Sequence, residues 1–291
     1  MCPLIPPELV GDIPVNKYPL NWTVIESRYK TVVNGSHRPE KCTARHKVAL
    51  LIPYRNRARH LRIFLNHMHA FLIKQQLDYG IYIVEIDEDI PFNRGFLFNV
   101  GFKEASSDYS YDCFIFHDVD LLPQNDHNLY NCPDQPRHLS VAIDKFMYKL
   151  AYSTNFGGVS AMTKEQFTTV NGFSNFFFGW GGEDDDLYNR LVYHKMTISR
   201  TMSDVARYTM LSHKQATRNP QRIKLLRSGK QRMQTDGINS LEYKVLQKIH
   251  RKLYVHVTVT LEESALRPFK KFSLSGNTTI FRRSAANFDL S

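Results

Sequence analysis

Residues 177–186 read Phe-Phe-Gly-Trp-Gly-Gly-Glu-Asp-Asp-Asp, four consecutive carboxylates directly behind a glycine-rich aromatic turn. Adjacent like charges repel, and a solvated acidic face has no need of Trp180 set between Gly179 and the Gly181-Gly182 pair. Glycine lets backbone approach a ligand closely, and an aromatic ring offers a flat apolar surface on which a sugar can stack. Carboxylates beside such a platform suit hydroxyl chemistry, with one of them as the general base for an attacking alcohol.

A second carboxylate pair, Asp118-Val-Asp120, follows the apolar run Cys113-Phe-Ile-Phe-His117. On an extended backbone the i, i+2 spacing turns these side chains to different sides: one can take a metal while the other meets a sugar hydroxyl. An isolated Asp-x-Asp is more often a polar strand end. Arg55 and Arg57 of Pro53-Tyr-Arg-Asn-Arg57 alter that balance, because guanidinium groups hold phosphate oxygens bidentately beside a hard cation such as Mn2+ or Mg2+. Met210-Leu-Ser-His213 is expected to set a thioether and an imidazole one turn apart, in reach of a metal at Asp120; such donors move the preference from Mg2+ toward Mn2+. Taken singly, either residue is more often core or surface. Phe92-Asn-Arg94 opens a predicted helix, whose first N–H groups and guanidinium can receive a nucleotide, or it is a plain cap. Asn219-Pro-Gln-Arg222 reads as a turn whose arginine reaches solvent or substrate.

The elements that must carry these groups alternate. Val48–Pro53 is a short apolar strand stopped by proline. Leu61, Phe64, Leu65, Met68, Phe71 and Leu72 then recur at helical spacing. A strand at 81–86, a helix near 94–105 and a strand at 113–118 follow, a β-α-β-α-β order that predicts a parallel α/β sheet with right-handed crossovers. Ligands of such sheets bind beyond the carboxyl ends of the strands, where residues 53–57 and 118–120 both fall. A strand near 159–162, a helix from about 185 to 194 and the alternating 253–260 complete a mixed sheet. Residues 1–43 read as an irregular lead-in pinned by a disulfide, 44–261 as the catalytic domain and 262–291 as a flexible basic tail.

Composition bounds the function. At 291 residues, with 42% hydrophobic and 12% aromatic content, the chain can bury a large core. No run of about 18 apolar residues is present to span a bilayer. The net charge of +10 is concentrated from Arg200 onward, where 18 Lys and Arg stand against 6 Asp and Glu. That asymmetry fits an anionic ligand or a solvated basic surface. No arginine-rich run interleaved with stacking aromatics supports nucleic-acid binding. Four cysteines without Cys-x-x-Cys spacing leave three disulfide connectivities, of which sequence-neighbour pairing is favoured, and four unrelated buried thiols as the alternative. Three N-x-[ST] acceptors, at Asn21, Asn34 and Asn277, favour an oxidising lumen and hence a membrane anchor that the full-length protein carries and this chain lacks.

Residues 53–57, 92–94, His117-Asp-Val-Asp120, Phe156-Gly-Gly-Val-Ser-Ala161 and Gly179–Asp186 together closely resemble the β-1,4-galactosyltransferase family, in order, over roughly residues 2–260. The resemblance implies a GT-A (Rossmann-like) fold with a mixed central sheet and a Golgi-lumen address. It implies a Mn2+-dependent inverting transfer from a UDP-sugar to the 4-hydroxyl of a terminal N-acetylglucosamine. On it, Asp120, Met210 and His213 resemble the manganese ligands. Pro53, Arg55, Arg57, Phe92, Arg94 and Val119 resemble donor contacts, joined in the same motifs by Tyr54, Asn56, Asn93 and Asp118, with Lys145 a helper at the diphosphate. Trp180 resembles a mobile-loop tryptophan that folds over the donor, and Asp184 the catalytic base, with Glu183 beside it. Gly182, Asp184, Asp185, Tyr152 and Arg222 match acceptor contacts, with Ile223 and Leu226 on the same side. Cys2, Cys42, Cys113 and Cys132 fall at two family disulfides, Cys2–Cys42 and Cys113–Cys132.

The departures bear on specificity. Asn155 stands where galactose-transferring members resemble one another in carrying tyrosine and GalNAc-transferring members have a smaller side chain, so the reading leans toward UDP-GalNAc over UDP-galactose. Phe178 replaces a tryptophan usual in the family, Ile223 an aromatic, and the segment between His213 and Arg222 is shorter than in many members. A catalytically silent carbohydrate-binding relative is the alternative from another class.

Overall fold

The computed structural model describes residues 1–261. The expected tail at 262–291, and Asn277 within it, lie outside the described residues. The chain runs through helix α1 (Trp22–Arg28), strand β1 (Ser36–His37), β2 (Lys47–Pro53), α2 (Ala58–Lys74), β3 (Asp78–Ile86), α3 (Arg94–Asp108), β4 (Cys113–His117), β5 (Leu121–Pro123), β6 (Arg137–His138) and β7 (Ala142–Ile143). It continues through β8 (Val159–Thr163), α4 (Lys164–Thr169), α5 (Glu183–Tyr193), β9 (Ser199–Arg200), β10 (Arg207–Met210), α6 (Arg222–Arg227), α7 (Gly229–Arg232), β11 (Tyr243–His250) and β12 (Val255–Leu261).

The predicted β-α-β-α-β unit forms a parallel set, with β2 paired to both β3 and β4 and β12 added beside β3. Strand β8 joins β4 antiparallel, which makes the sheet mixed, as expected. The full order is β11-β12-β3-β2-β4-β8-β6-β9, with β1 against β3, and β5-β10-β7 form a smaller sheet. Period-two alternation divides the core. Val48, Leu50 and Ile52 pack with Leu61, Phe64 and Met68 of α2, whereas Ala49 and Leu51 pack with Leu97, Phe98 and Val100 of α3. Helix α2 shows the apolar stripe seen in the sequence; α3 is buried almost all round its first half. The carboxyl ends of β2 and β4 therefore emerge side by side.

The lead-in is more ordered than its composition suggests. It contains α1 and β1, and Val10 and Gly11 donate their N–H groups to the fully buried Asp126 carboxylate, at 3.0 and 2.8 Å to Oδ1. The disulfides pair Cys2 with Cys42 and Cys113 with Cys132, with Cα–Cα distances of 5.0 and 5.4 Å. Among the described residues no helix is long and apolar enough to cross a membrane.

Candidate active site

The four carboxylates at 183–186 form the first turn of α5, where the unpaired N–H groups and the helix dipole favour negative charge. The run is thus locally sound, contrary to the repulsion expected of neighbouring charges, because each group goes to a different partner. Glu183 pairs with Arg94 at 3.4 Å, Asp185 accepts from the Tyr152 hydroxyl at 3.0 Å, and Asp186 takes Arg190 at 2.8 Å in a buried ion pair. Asp184 Oδ1 accepts from Asp185 N–H at 3.1 Å, and its Oδ2 lies only 2.4 Å from where a β-carbon on Gly157 would be. Burial, and then the charge of Asp185, raise its pKa, so it is a better base than a free carboxylate.

Arg94 is the hub of the site. Its Nε meets Asp118 at 2.6 Å and its Nη2 donates to the Gly158 carbonyl at 3.1 Å, while the guanidinium lies over the Phe98 ring. Asn93 accepts from Phe96 N–H at 3.0 Å and donates to the Asn175 carbonyl at 2.8 Å, so the cap reading holds for Asn93. Asp118 and Asp120 do part, but for a different reason from the expected extended backbone: β4 ends at His117, and a turn closed by Leu121 N–H on the Asp118 carbonyl carries both carboxylates. Asp120 Oδ2 then contacts His213 Nε2 at 2.7 Å. Met210 and His213 are not on a helical turn. Met210 ends β10, opposite Leu121 across the small sheet, and Leu211 N–H donates to the Asp120 carbonyl at 2.8 Å.

An oxygen, a nitrogen and a neighbouring thioether form a mixed donor set that suits a borderline divalent ion. Among the described residues no group of three or more His, Cys, Asp and Glu gathers as a metal site; Met210, at the end of β10, is the third donor expected from the sequence. Arg57 Nη2 reaches His213 Nδ1 at 3.0 Å, whereas Arg55 lies over the Phe92 ring and donates to the Ile90 carbonyl. Tyr54 is buried and packs edge-on to His256, Asn56 is exposed with φ 50°, Val119 is buried in the turn and Lys145 is exposed.

Gly179, Gly181 and Gly182 hold φ of 94°, 99° and 101°, a left-handed region that other residues adopt at a cost. They set Trp180 outward, with its N–H on the Thr217 carbonyl at 2.9 Å, its own carbonyl accepting from Asn219 N–H at 3.0 Å, and the Arg218 guanidinium over its ring. Arg222 packs its side chain against Gly181 and Gly182; Leu226 stands one turn on from it in α6, half-buried, and Ile223 is exposed.

Comparison with known proteins identifies the family. The family model described as the N-terminal region of glycosyl transferase group 7 matches residues 2–133, and the N-terminal domain of galactosyltransferase matches 137–214. Beta-1,4-galactosyltransferase 1 of Homo sapiens is 48% identical over 265 residues, covering 89% of this chain and 67% of its own length. Beta-1,4-galactosyltransferase 4 of Mus musculus is 49% identical over 262 residues, covering 89% and 76%. The chain belongs to the β-1,4-galactosyltransferase family. The catalytic domain of Drosophila beta-1,4-galactosyltransferase 7 in complex with xylobiose superposes with TM-score 0.66 at 30% identity, over 75% of this chain and 94% of that one. A variant of that enzyme in complex with manganese, UDP-Gal and xylobiose gives 0.65 at 29%, over the same shares. The mixed sheet is thus a GT-A fold, and this β-1,4-galactosyltransferase relative is a glycosyltransferase.

Two residues of the site carry no signal in the sequence. Asp144 Oδ1 accepts from Met210 N–H at 2.9 Å and from Lys145 N–H at 2.7 Å, tying a candidate metal ligand to a candidate phosphate helper. Arg218, which stacks on Trp180, lies in the shortened segment, where nothing marks one basic residue from the next.

Proposed function

We propose that the protein transfers GalNAc, or Gal, from a UDP-sugar to the 4-hydroxyl of a terminal β-GlcNAc, with inversion and with Mn2+. The observation that carries this reading is the meeting of Asp184 and residue 155: a β-carbon on Gly157 would touch Asp184 Oδ2 at 2.4 Å and Asn155 Oδ1 at 3.5 Å. The proposed base and the proposed specificity residue thus flank the same glycine. Asn155 Oδ1 accepts from Gly157 N–H at 3.1 Å, which leaves the side-chain NH2 to donate to an acetamide oxygen. A tyrosine ring at 155 would fill that space, so asparagine supports GalNAc.

Asp184 accepts the proton of the acceptor 4-hydroxyl as its oxygen bonds to the anomeric carbon and the bond to UDP breaks, one in-line displacement that inverts the centre. Asp120, His213 and Met210 would hold Mn2+, which when bound neutralises charge on the departing diphosphate. Arg55, Arg57 and Lys145 supply further positive charge there. Glu183, committed to Arg94, keeps Arg94 and Asp118 in place. Trp180 closes over the donor on its glycine hinges and excludes water, and Arg222, Asp185 and Tyr152 then grip the acceptor. Two disulfides fit an oxidising compartment, and with it the Golgi lumen, where a membrane anchor would hold the enzyme.

Transfer of galactose alone is the second reading, favoured by relatives that are named galactosyltransferases. A silent carbohydrate-binding relative would have lost ligands, yet Asp120, His213 and Asp184 are all present. Initial rates with UDP-Gal and UDP-GalNAc on a GlcNAc-terminated acceptor, with Mn2+, decide between these in the parent and in Asn155→Tyr. The proposal requires Asn155→Tyr to move the ratio toward UDP-Gal; equal ratios in both proteins refute the pocket assignment.

A further inference from the structure

Arg200 lies at the end of β9, at the far edge of the large sheet from β11, and belongs to none of the motifs above. Its Nη2 donates to the carbonyl of Ser153 and to the carbonyl of Asn155, both at 2.8 Å. Its Nε meets His138 Nδ1 at 3.3 Å, and His138 Nε2 meets the Gly157 carbonyl at 3.0 Å. An arginine N–H can only donate, so His138 Nδ1 is the acceptor and Nε2 carries the proton to Gly157. His138 is fully buried. Burial, and then the Arg200 charge, push its pKa down to about 3, which keeps this tautomer neutral. The carbonyls at 153, 155 and 157 thus all converge on one Arg200–His138 pair.

This segment borders the pocket. Gly157 faces Asp184, and the Asn155 side chain folds back onto Gly157 N–H. Tyr152, immediately before the gripped carbonyls, holds Asp185. The backbone that carries Asn155 is therefore held by Arg200, while its side chain lies on Gly157, the glycine that Asp184 also approaches. Parallel pairing of β9 with β6 sets Arg200 beside His138, Cα partner to Cα partner.

We infer that Arg200 is a positioning residue for donor choice: by holding the carbonyls of Ser153, Asn155 and, through His138, Gly157, it sets the pocket that receives the substituent at C2 of the donor sugar. The inference rests on the assignment of Asn155 to that pocket. A lysine can reach one carbonyl but cannot reproduce the planar fork, so the conservative change restores only part of the grip.

The test measures kcat and KM for UDP-Gal and UDP-GalNAc, and KM for the acceptor, in the parent, Arg200→Ala, Arg200→Lys and Asn155→Tyr, each checked for folding by thermal melting. Arg200→Ala should raise the donor KM about tenfold, bring the UDP-GalNAc to UDP-Gal ratio of kcat/KM toward unity, and leave the acceptor KM within about twofold. Arg200→Lys should fall between, and serves alone if the alanine variant does not fold. A shift in ratio with Asn155→Tyr but none with folded Arg200→Ala or Arg200→Lys overturns the role of Arg200 and leaves the proposed function standing. A loss of kcat that is equal for both donors, with KM unchanged, overturns it as well. If Asn155→Tyr leaves the ratio unmoved, the pocket assignment falls and this inference falls with it.

Discussion

Gly157 and Asp184 are in such close contact that a β-carbon on the glycine would stand 2.4 Å from the carboxylate oxygen Oδ2. The neighbour is the end of a side chain, so an alanine there is accommodated by turning Asp184 away and not by moving backbone. A displacement of about 1 Å at a reacting group costs on the order of 100-fold in rate. Gly157→Ala should therefore melt near the parental temperature while kcat falls about 100-fold. Parental kcat in this variant would show that the placement of Asp184 is immaterial.

Removing the base while keeping its shape isolates its proton. Asp184→Asn should lower kcat by about 10²–10⁴ with little change in donor KM. Single-turnover rates on a GlcNAc-terminated acceptor measure this, and near-normal turnover would end the assignment.

Metal binding can be followed without turnover. Stripping with EDTA and titrating Mn2+, with free ion read by electron paramagnetic resonance, should show Asp120→Ala losing the site. Asp144→Ala, which frees Met210 N–H, should weaken it about 10-fold. Equal affinity in Asp120→Ala would remove this carboxylate from the ligand set.

Glu183 supplies a pH dependence. Burial, then the negative charge of Asp184, raise its pKa to about 7 against the pull of Arg94. The native state thus holds this proton more tightly than the unfolded chain. The corresponding stability is fully present below pH about 4.5 and is lost as pH rises through about 7. Relative to Glu183→Gln, which cannot ionise, the metal-free parent should lose stability between pH 5 and 8 in urea titrations. A constant difference across that range contradicts the shift.

Of the two tryptophans, only Trp180 is in the proposed lid, 46% exposed beneath Arg218. In a Trp22→Phe background, UDP-sugar with Mn2+ should shift its emission to the blue as the ring is covered. Unchanged emission would mean that the loop does not close.

Much of this was legible in the sequence, for identifiable reasons. Val48–Pro53 and the α2 stripe announce themselves because burial on one side leaves a period that the side chains must follow. The acidic run reads as self-repelling until the helix N-terminus and its four separate partners are seen, since those partners come from distant positions such as Arg94 and Tyr152. Helix α1 was hidden by its seven-residue length and by an Asn21 cap that makes no side-chain bond. Strands β6 and β9 have two residues each, too few for any periodicity, and so the Arg200–His138 pair they bring together left no trace.

The backbone bonds between Trp180 and residues 217–219 have a mechanical consequence. Four Cα-to-Cα steps lead from His213 to Thr217, and a fully extended chain spans at most about 3.5 Å per step. While His213 is held at Asp120, the tryptophan is on a leash of roughly 14 Å. The shortened segment would then limit how far the loop can swing between turnovers, a ceiling set by chain length alone.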